Sequence, residues 1–167
     1  MDISEFAKLF PQKMDEINQY IEGDEIRDMF GVEAVNHFKQ SFLNEGFTDE
    51  TLEKWPEVER RKPESAWYGH SGQTGKKSEA RAAAKILSGE TRLLANSISY
   101  VRTPEGARIT NDRPYAAVHQ FGLPAKIYGK KSFVMKPRPF IGKSVVLKNK
   151  IEDNVQNRFI EILKGSK

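Results

Sequence analysis

Four groups of residues in this 167-residue chain have types and spacings that could do chemistry. The first is a glycine-rich basic loop, Gly69-His70-Ser71-Gly72-Gln73-Thr74-Gly75-Lys76-Lys77-Ser78. A phosphate loop needs Gly, four residues, Gly, Lys and then a hydroxyl residue, so that backbone N–H groups wrap the phosphates and the hydroxyl holds magnesium. Here the first glycine falls one residue early, Lys77 takes the hydroxyl position, and no apolar strand precedes the loop. The stretch reads as a basic connection. The second group is three histidines, His37, His70 and His119. No His-x-x-x-His pair exists and no Asp or Glu lies near His119 in sequence, so metal or triad chemistry would need partners from elsewhere in the fold. Ring nitrogens bonded to the backbone or to an adjacent subunit are the expectation for His119. The third group, Glu22, Asp24, Glu25, Asp28 and Glu33, has carboxylates but falls where a helix begins, and there the helix dipole favours acids anyway. The fourth is the basic third, Arg113, Lys126, Lys130, Lys131, Lys136, Arg138 and Lys143, with Tyr128, Phe133 and Phe140 interleaved, which can face nucleic acid without reading its sequence, Lys126, Lys130, Lys131 and Lys136 being the candidate DNA-facing residues. No catalytic, metal or cofactor site emerges, and an enzyme is not expected.

Composition narrows the classes further. There is no Cys, which removes disulfide scaffolds, thiol nucleophiles and Cys-held zinc. The acidic start Met-Asp-Ile-Ser-Glu has no apolar h-region, and no apolar run approaches the ~20 residues of a membrane span, so neither secretion nor a membrane is expected. Charge is unevenly spread. Met1 to Glu59 holds 5 basic and 15 acidic residues, and Arg113 to Ile151 holds 9 basic and no acidic ones. Such a dipolar chain suits head-to-tail packing of identical subunits.

The elements that must position these residues read as one α+β domain over 1–167: a helical part over 1–46, an extended arm over 47–77, and an antiparallel β-sheet with a C-terminal helix over 78–167. Ser4 is read as the cap of a first helix, with Pro11 as a kink or restart. Ile26, Phe30, Val35, Phe38 and Phe42 stripe a second helix, with Gly46 as its stop. Phe47 to Thr74 mixes Pro, Gly and aromatics without a period and reads as an irregular arm. Its Trp55, Trp67 and Tyr68, with Tyr128 and Phe133, are the candidate surface for a neighbouring subunit or partner. Ser78 to Leu87 is Ala-rich and helical. Ile98–Arg102 and Ala107–Thr110 flank a Pro-Glu-Gly turn as a hairpin, Pro114 opens a short helix closed by Gly122, and Lys131 to Lys136 reads as a strand. Val146, Ile151, Val155, Phe159, Ile162 and Leu163 stripe a last helix.

The order of three motifs carries a resemblance: Leu94-Ala95-Asn96-Ser97-Ile98, then Tyr115-Ala116-Ala117-Val118-His119-Gln120-Phe121-Gly122, then Arg138-Pro139-Phe140-Ile141-Gly142. Leu-x-x-Ser-Ile, Tyr-Ala-x-x-His-Gln-x-Gly and Arg-x-Phe-(Ile/Leu)-Gly in this order resemble the Mu-like virion morphogenesis proteins of tailed phages and prophages, which act in tail completion and head–tail joining. The resemblance spans about Trp55 to Leu163. One departure is Arg92 after Thr91, where that family often has glycine, and the local turn is expected to differ. The resemblance implies a structural virion protein without a cofactor. It would form a ring, with six copies expected, at the neck or tail terminus, after assembly in the host cytoplasm. Its implied partners are itself, the connector or portal side, and tail-tube or terminator proteins. Ser97, Ile98, Tyr115, Ala116, His119, Gln120, Gly122, Arg138, Phe140 and Gly142 are then structural motif residues. Basic side chains would face DNA in the lumen. The alternative is a non-specific nucleic-acid-binding protein that uses the basic C-terminal third.

Overall fold

The computed structural model describes residues 2–127 and 129–165. Helix α1 (Ile3–Glu22) begins at Asp2, not at Ser4. The Asp2 carboxylate accepts the Glu5 N–H at 2.8 Å and Glu5 returns a bond to the Asp2 N–H at 3.1 Å, a reciprocal cap that satisfies two otherwise orphaned donors. Pro11 lies within α1 and neither ends nor restarts it. Gly23 closes α1 and opens α2 (Asp24–Asn44). The left-handed residue that ends α2 is Glu45, at φ 53°, and not Gly46, which already belongs to strand β1 (Gly46–Thr48). The expected stop was therefore one residue late.

The stretch read as an arm is folded back on the body. β1 pairs antiparallel with β2 (Leu52–Lys54), and a 3-10 turn follows at Glu59–Arg61. Ser78 caps α3 (Glu79–Ala83) and Leu93–Asn96 forms the single turn α4. β3 (Ile98–Thr103) and β4 (Gly106–Asn111) make the expected hairpin in full register from Ile98↔Asn111 to Thr103↔Gly106. The short helix α5 (Ala116–Phe121) ends at Gly122 as expected. β5 (Pro124–Ile127), which has no alternating pattern to announce it, pairs with β6 (Lys131–Val134). Ser144 caps α6 (Val145–Lys164) by accepting the Leu147 N–H. The fold is α+β with long terminal helices. Its antiparallel strands form three separate two-stranded ribbons among the described residues, not one continuous sheet.

Two clusters hold the elements together. The larger gathers Phe38 and Phe42 of α2, Phe47, Trp55, Ile86, Leu94, Ile98, Ala116, Phe140 and Leu147. The smaller joins Ile17 and Tyr20 of α1, Ile26 of α2 and Ile162 of α6. The β3–β4 hairpin lies along α2, and Gly31 makes that possible: a Cβ there would fall 2.2 Å from the Tyr100 ring. Polar pairing follows the same contact. Arg102 reaches Asp28 through Nε at 2.7 Å and Nη2 at 2.6 Å, and Asp24 through Nη1 at 2.8 Å.

Candidate functional site: the motif hub and the uncovered ends

The three sequence motifs, separated by up to forty-odd residues, meet in one place. Ile98, Ala116 and Phe140 share the large cluster, and Phe140 is only 1% exposed. Phe42 brackets the Phe140 ring at a centroid distance of 5.3 Å. Gln120 clamps the third motif: its Oε1 accepts from the Phe140 N–H at 3.0 Å and the Ile141 N–H at 3.2 Å, and its Nε2 donates to the Ile141 carbonyl at 2.6 Å. Gly122 sits at φ 69°, and a Cβ there would meet the Met135 carbonyl at 2.7 Å and Pro137 Cδ at 2.9 Å, so both conformation and space exclude a side chain. Gly142 makes a corresponding close approach to Phe47, where an added Cβ would fall 3.3 Å from the ring. Ser97 ends α4, its N–H donating to the Leu93 carbonyl at 2.9 Å.

Arg138 ties the folded-back arm to this hub. It is 5% exposed, and its backbone N–H donates to the His119 carbonyl at 2.7 Å. Its guanidinium donates to the Pro56 carbonyl through Nε at 3.1 Å and Nη2 at 2.9 Å, and more weakly to Glu57 and Lys136 carbonyls. Burial without a carboxylate contact lowers its pKa from the ordinary arginine value. Trp55 closes the same junction, its indole N–H donating to the Pro139 carbonyl at 2.7 Å. At 6% exposure, Trp55 is a core residue of its own subunit, which corrects its assignment to a partner surface. The β1–β2 turn brings it inward onto Phe42, an inward direction that a non-periodic arm does not reveal.

A cleft of about 460 Å³ opens beside the hub, lined among others by Arg60, Ser71, Arg81, Tyr115, His119 and Arg138. His119 titrates near 4, because burial and then the Arg138 charge disfavour imidazolium. Its Nδ1 is buried with no partner among the described residues, contrary to the expected ring hydrogen bonds. What holds the residue is its backbone carbonyl, bonded to Arg138, and the edge of its ring against Tyr115 at 6.1 Å. Tyr115 itself is half-exposed and is not packed in the core, unlike Ala116. Burial pulls Arg60 down to about 10, reinforced by the Arg81 and Arg61 charges, while its guanidinium donates to the Arg81 carbonyl and, at 2.7 Å, to the Lys85 carbonyl.

The glycine-rich loop does not form a phosphate cradle. It closes on itself through Ser78 N–H to Gly69 carbonyl at 3.1 Å and Ser71 N–H to Lys76 carbonyl at 2.8 Å. The Ser71 hydroxyl takes the Gln73 and Thr74 N–H groups at 3.3 and 3.2 Å and donates to Glu90 at 2.6 Å. Those are the donors a phosphate would need. The acids of α2 are likewise engaged. Besides Asp24 and Asp28 with Arg102, Glu25 meets Arg158 at 3.0 Å and Glu33 meets Lys150 at 2.6 Å. The Arg102 hydrogen bond holds the Asp28 carboxyl below its ordinary range. Among the described residues no three His, Asp or Glu side chains gather as metal ligands, and no helix is long and apolar enough to cross a membrane.

Two polar anchors had no sequence signal. Glu45, in its left-handed cap, accepts from Arg61 at 2.6 Å and from the Ile86 N–H at 2.8 Å. Burial pushes its carboxyl up, but the Ile86 bond and the Arg61 and Lys85 charges outweigh that and leave it lowered. Lys13, buried in an amphipathic helix, donates to the Ile162 carbonyl at 2.6 Å and so caps the end of α6. The expected change at Arg92 has a specific form: Arg92 adopts φ 55°, the left-handed conformation that favours glycine.

The remaining candidates lie on the surface. Trp67 is exposed with its ring edge-on to His70 at 4.9 Å, and Tyr68 is half-buried with its hydroxyl donating to Glu79 at 3.0 Å. Lys126, Lys130, Lys131 and Lys136 are exposed along the β5–β6 ribbon, and Phe133 is half-buried on it. Tyr128 lies outside the described residues.

An α+β scaffold whose Gln120 and Arg138 spend their polar groups on its own backbone is held together at those motifs. A family model described as the phage virion morphogenesis family matches residues 58–160, most of the chain. The chain belongs to the phage virion morphogenesis family. No curated protein and no solved structure gives a match.

Proposed function

We propose that this chain is a structural, non-enzymatic virion subunit. It completes the tail or joins head to tail, as a ring of identical copies, six by expectation, at the neck or tail terminus. Its neighbours would be further copies of itself, a connector or portal-side protein, and a tail-tube or terminator protein. The observation that carries the reading is the charge split in a chain of this family: acidic over Met1 to Glu59, basic over Arg113 to Ile151. A closed ring is a heterologous assembly and needs two different, complementary faces on every subunit. The test is electron microscopy of particles made without the protein. Heads and tails should accumulate unjoined or with unfinished tail ends, and a ring should reappear at that position on complementation. Normal, infectious, joined particles in its absence would overturn the reading.

A second reading is favoured by the exposed lysines of the β5–β6 ribbon, which form no ion pair among the described residues. They would contact DNA without sequence preference, in the ring lumen or independently of a ring. Affinity should then fall steeply with salt as counterions are released. Binding that is absent, or indifferent to salt, excludes it.

A further inference from the structure

Among the described residues, two elements lack a packing partner, and they match each other. The first is the outer half of α1. Ile17 and Tyr20 pack against α2 and α6, and Lys13 caps the α6 end. At helical spacing the same face continues outward as Leu9, Phe10 and Phe6, and every residue from Asp2 to Gln12 is exposed. Ile3 is 90% exposed, and the Phe6 and Phe10 rings lie 5.7 Å apart, both exposed. Asp2 and Glu5 face one lysine, Lys8, along this exposed stretch, and the exposed Asp15 and Glu16 follow beyond the buried Lys13.

The second is the β5–β6 ribbon. Its base is fixed where Gly122 meets Met135 and Pro137. Beyond that, among the described residues, its strands pair with each other and with no further strand, and an isolated two-stranded ribbon is marginal in water. Leu123 to Lys136 holds four lysines and no acid. Phe121 beside its base is 67% exposed and Val134 on it 72%.

We propose that the outer half of α1 docks on the β5–β6 ribbon of the next copy of this chain. Apolar surface meets apolar surface, and acidic side chains meet basic ones. The two faces differ, so the contact repeats head to tail and closes only by going round. This rests on the ring reading above and specifies which surfaces make the ring. Pairing of α1 with another α1 would bring acids against acids, and pairing of two ribbons lysines against lysines, so neither symmetric contact is favoured.

The absence of cysteine makes the test clean. A chain with Leu9→Cys and Val134→Cys is assembled into particles and treated with a short bis-maleimide. The expected result is a ladder of covalent multimers of this chain, with neither single variant giving more than monomer. Charge reversal supplies the second arm. Lys126→Glu with Lys130→Glu and Lys131→Glu should abolish ring incorporation while circular dichroism shows a folded chain, and adding Glu5→Lys, which leaves the Asp2 carboxylate on the residue-5 N–H, should restore part of it. A ring visible by microscopy without the ladder overturns this contact and leaves the ring reading standing. Dimers from Leu9→Cys alone, or an adduct to a different virion protein, also overturn it. No ring under any condition overturns both.

Discussion

The motif hub and the two uncovered ends are opposite kinds of surface. At the hub, Gln120, Arg138 and Trp55 direct their polar groups to backbone atoms at Phe140–Ile141, Pro56 and Pro139, around a nearly inaccessible Phe140. At the ends, the outer half of α1 and the β5–β6 ribbon show apolar and charged side chains with no described residue opposite them. The motif residues therefore hold the subunit together, and the exposed apolar and charged side chains lie elsewhere. Motif recognition locates the fold and says little about the interface.

The comparison breaks most readily at Phe140. Phe140→Ala removes the ring from the centre of the large cluster and should cost about 3–5 kcal/mol, read from urea or thermal unfolding. A loss within the range of surface substitutions would mean that the hub is not the centre of stability. His119 supplies a pH test. It titrates near 4 when folded, against the ordinary 6.5 expected of the unfolded chain. Between those values the unfolded chain takes up a proton that the folded chain refuses. Stability should thus fall as pH drops through this window, by up to about 3 kcal/mol, and be unaffected by this group above it. His119→Gln should flatten that part of the wild-type slope in denaturant midpoints measured from about pH 7 to about pH 4.5.

Gln120→Ala strands two N–H groups and a carbonyl at the start of the third motif and should cost about 1–3 kcal/mol by the same measurement. Arg92→Gly should stabilise by about 0.5–1 kcal/mol, because the left-handed conformation costs an arginine more than a glycine. At the ends the expectation reverses. Val134→Ser and Phe10→Ser should move stability by no more than about 0.5 kcal/mol. They should still reduce incorporation into particles, seen by quantitative blotting. A large stability loss from either would show those residues to be part of the subunit's own core.

Much of the fold was legible because it is local. The α2 stripe, most of the α6 stripe, the β3–β4 hairpin around Pro104–Glu105 and the Gly122 stop depend on spacing and turn chemistry over a few residues. The α6 stripe differs at its start, where Leu147 is buried and the expected Val146 is 41% exposed. The Asp2 cap was missed because Ser4 offered an equally good capping side chain two residues later. β5 was missed because Pro124 to Ile127 is only four residues long and opens on a proline, which leaves no alternating apolar pattern to read.

The sequence alone determined the long helices, the motif order that places the chain in its family, and the charge split between its ends. Tertiary structure decided what those features do. It turned Trp55 inward, because the β1–β2 turn carries it to Phe42 and its indole N–H to the Pro139 carbonyl, a contact across 84 residues. It made Glu45 and Lys13 anchors through partners remote in sequence. It left the outer half of α1 uncovered although its apolar stripe is the same as that of its buried half. Periodicity is set by neighbours along the chain. Burial is set by whatever lies across from a face, and that is decided only when distant segments meet.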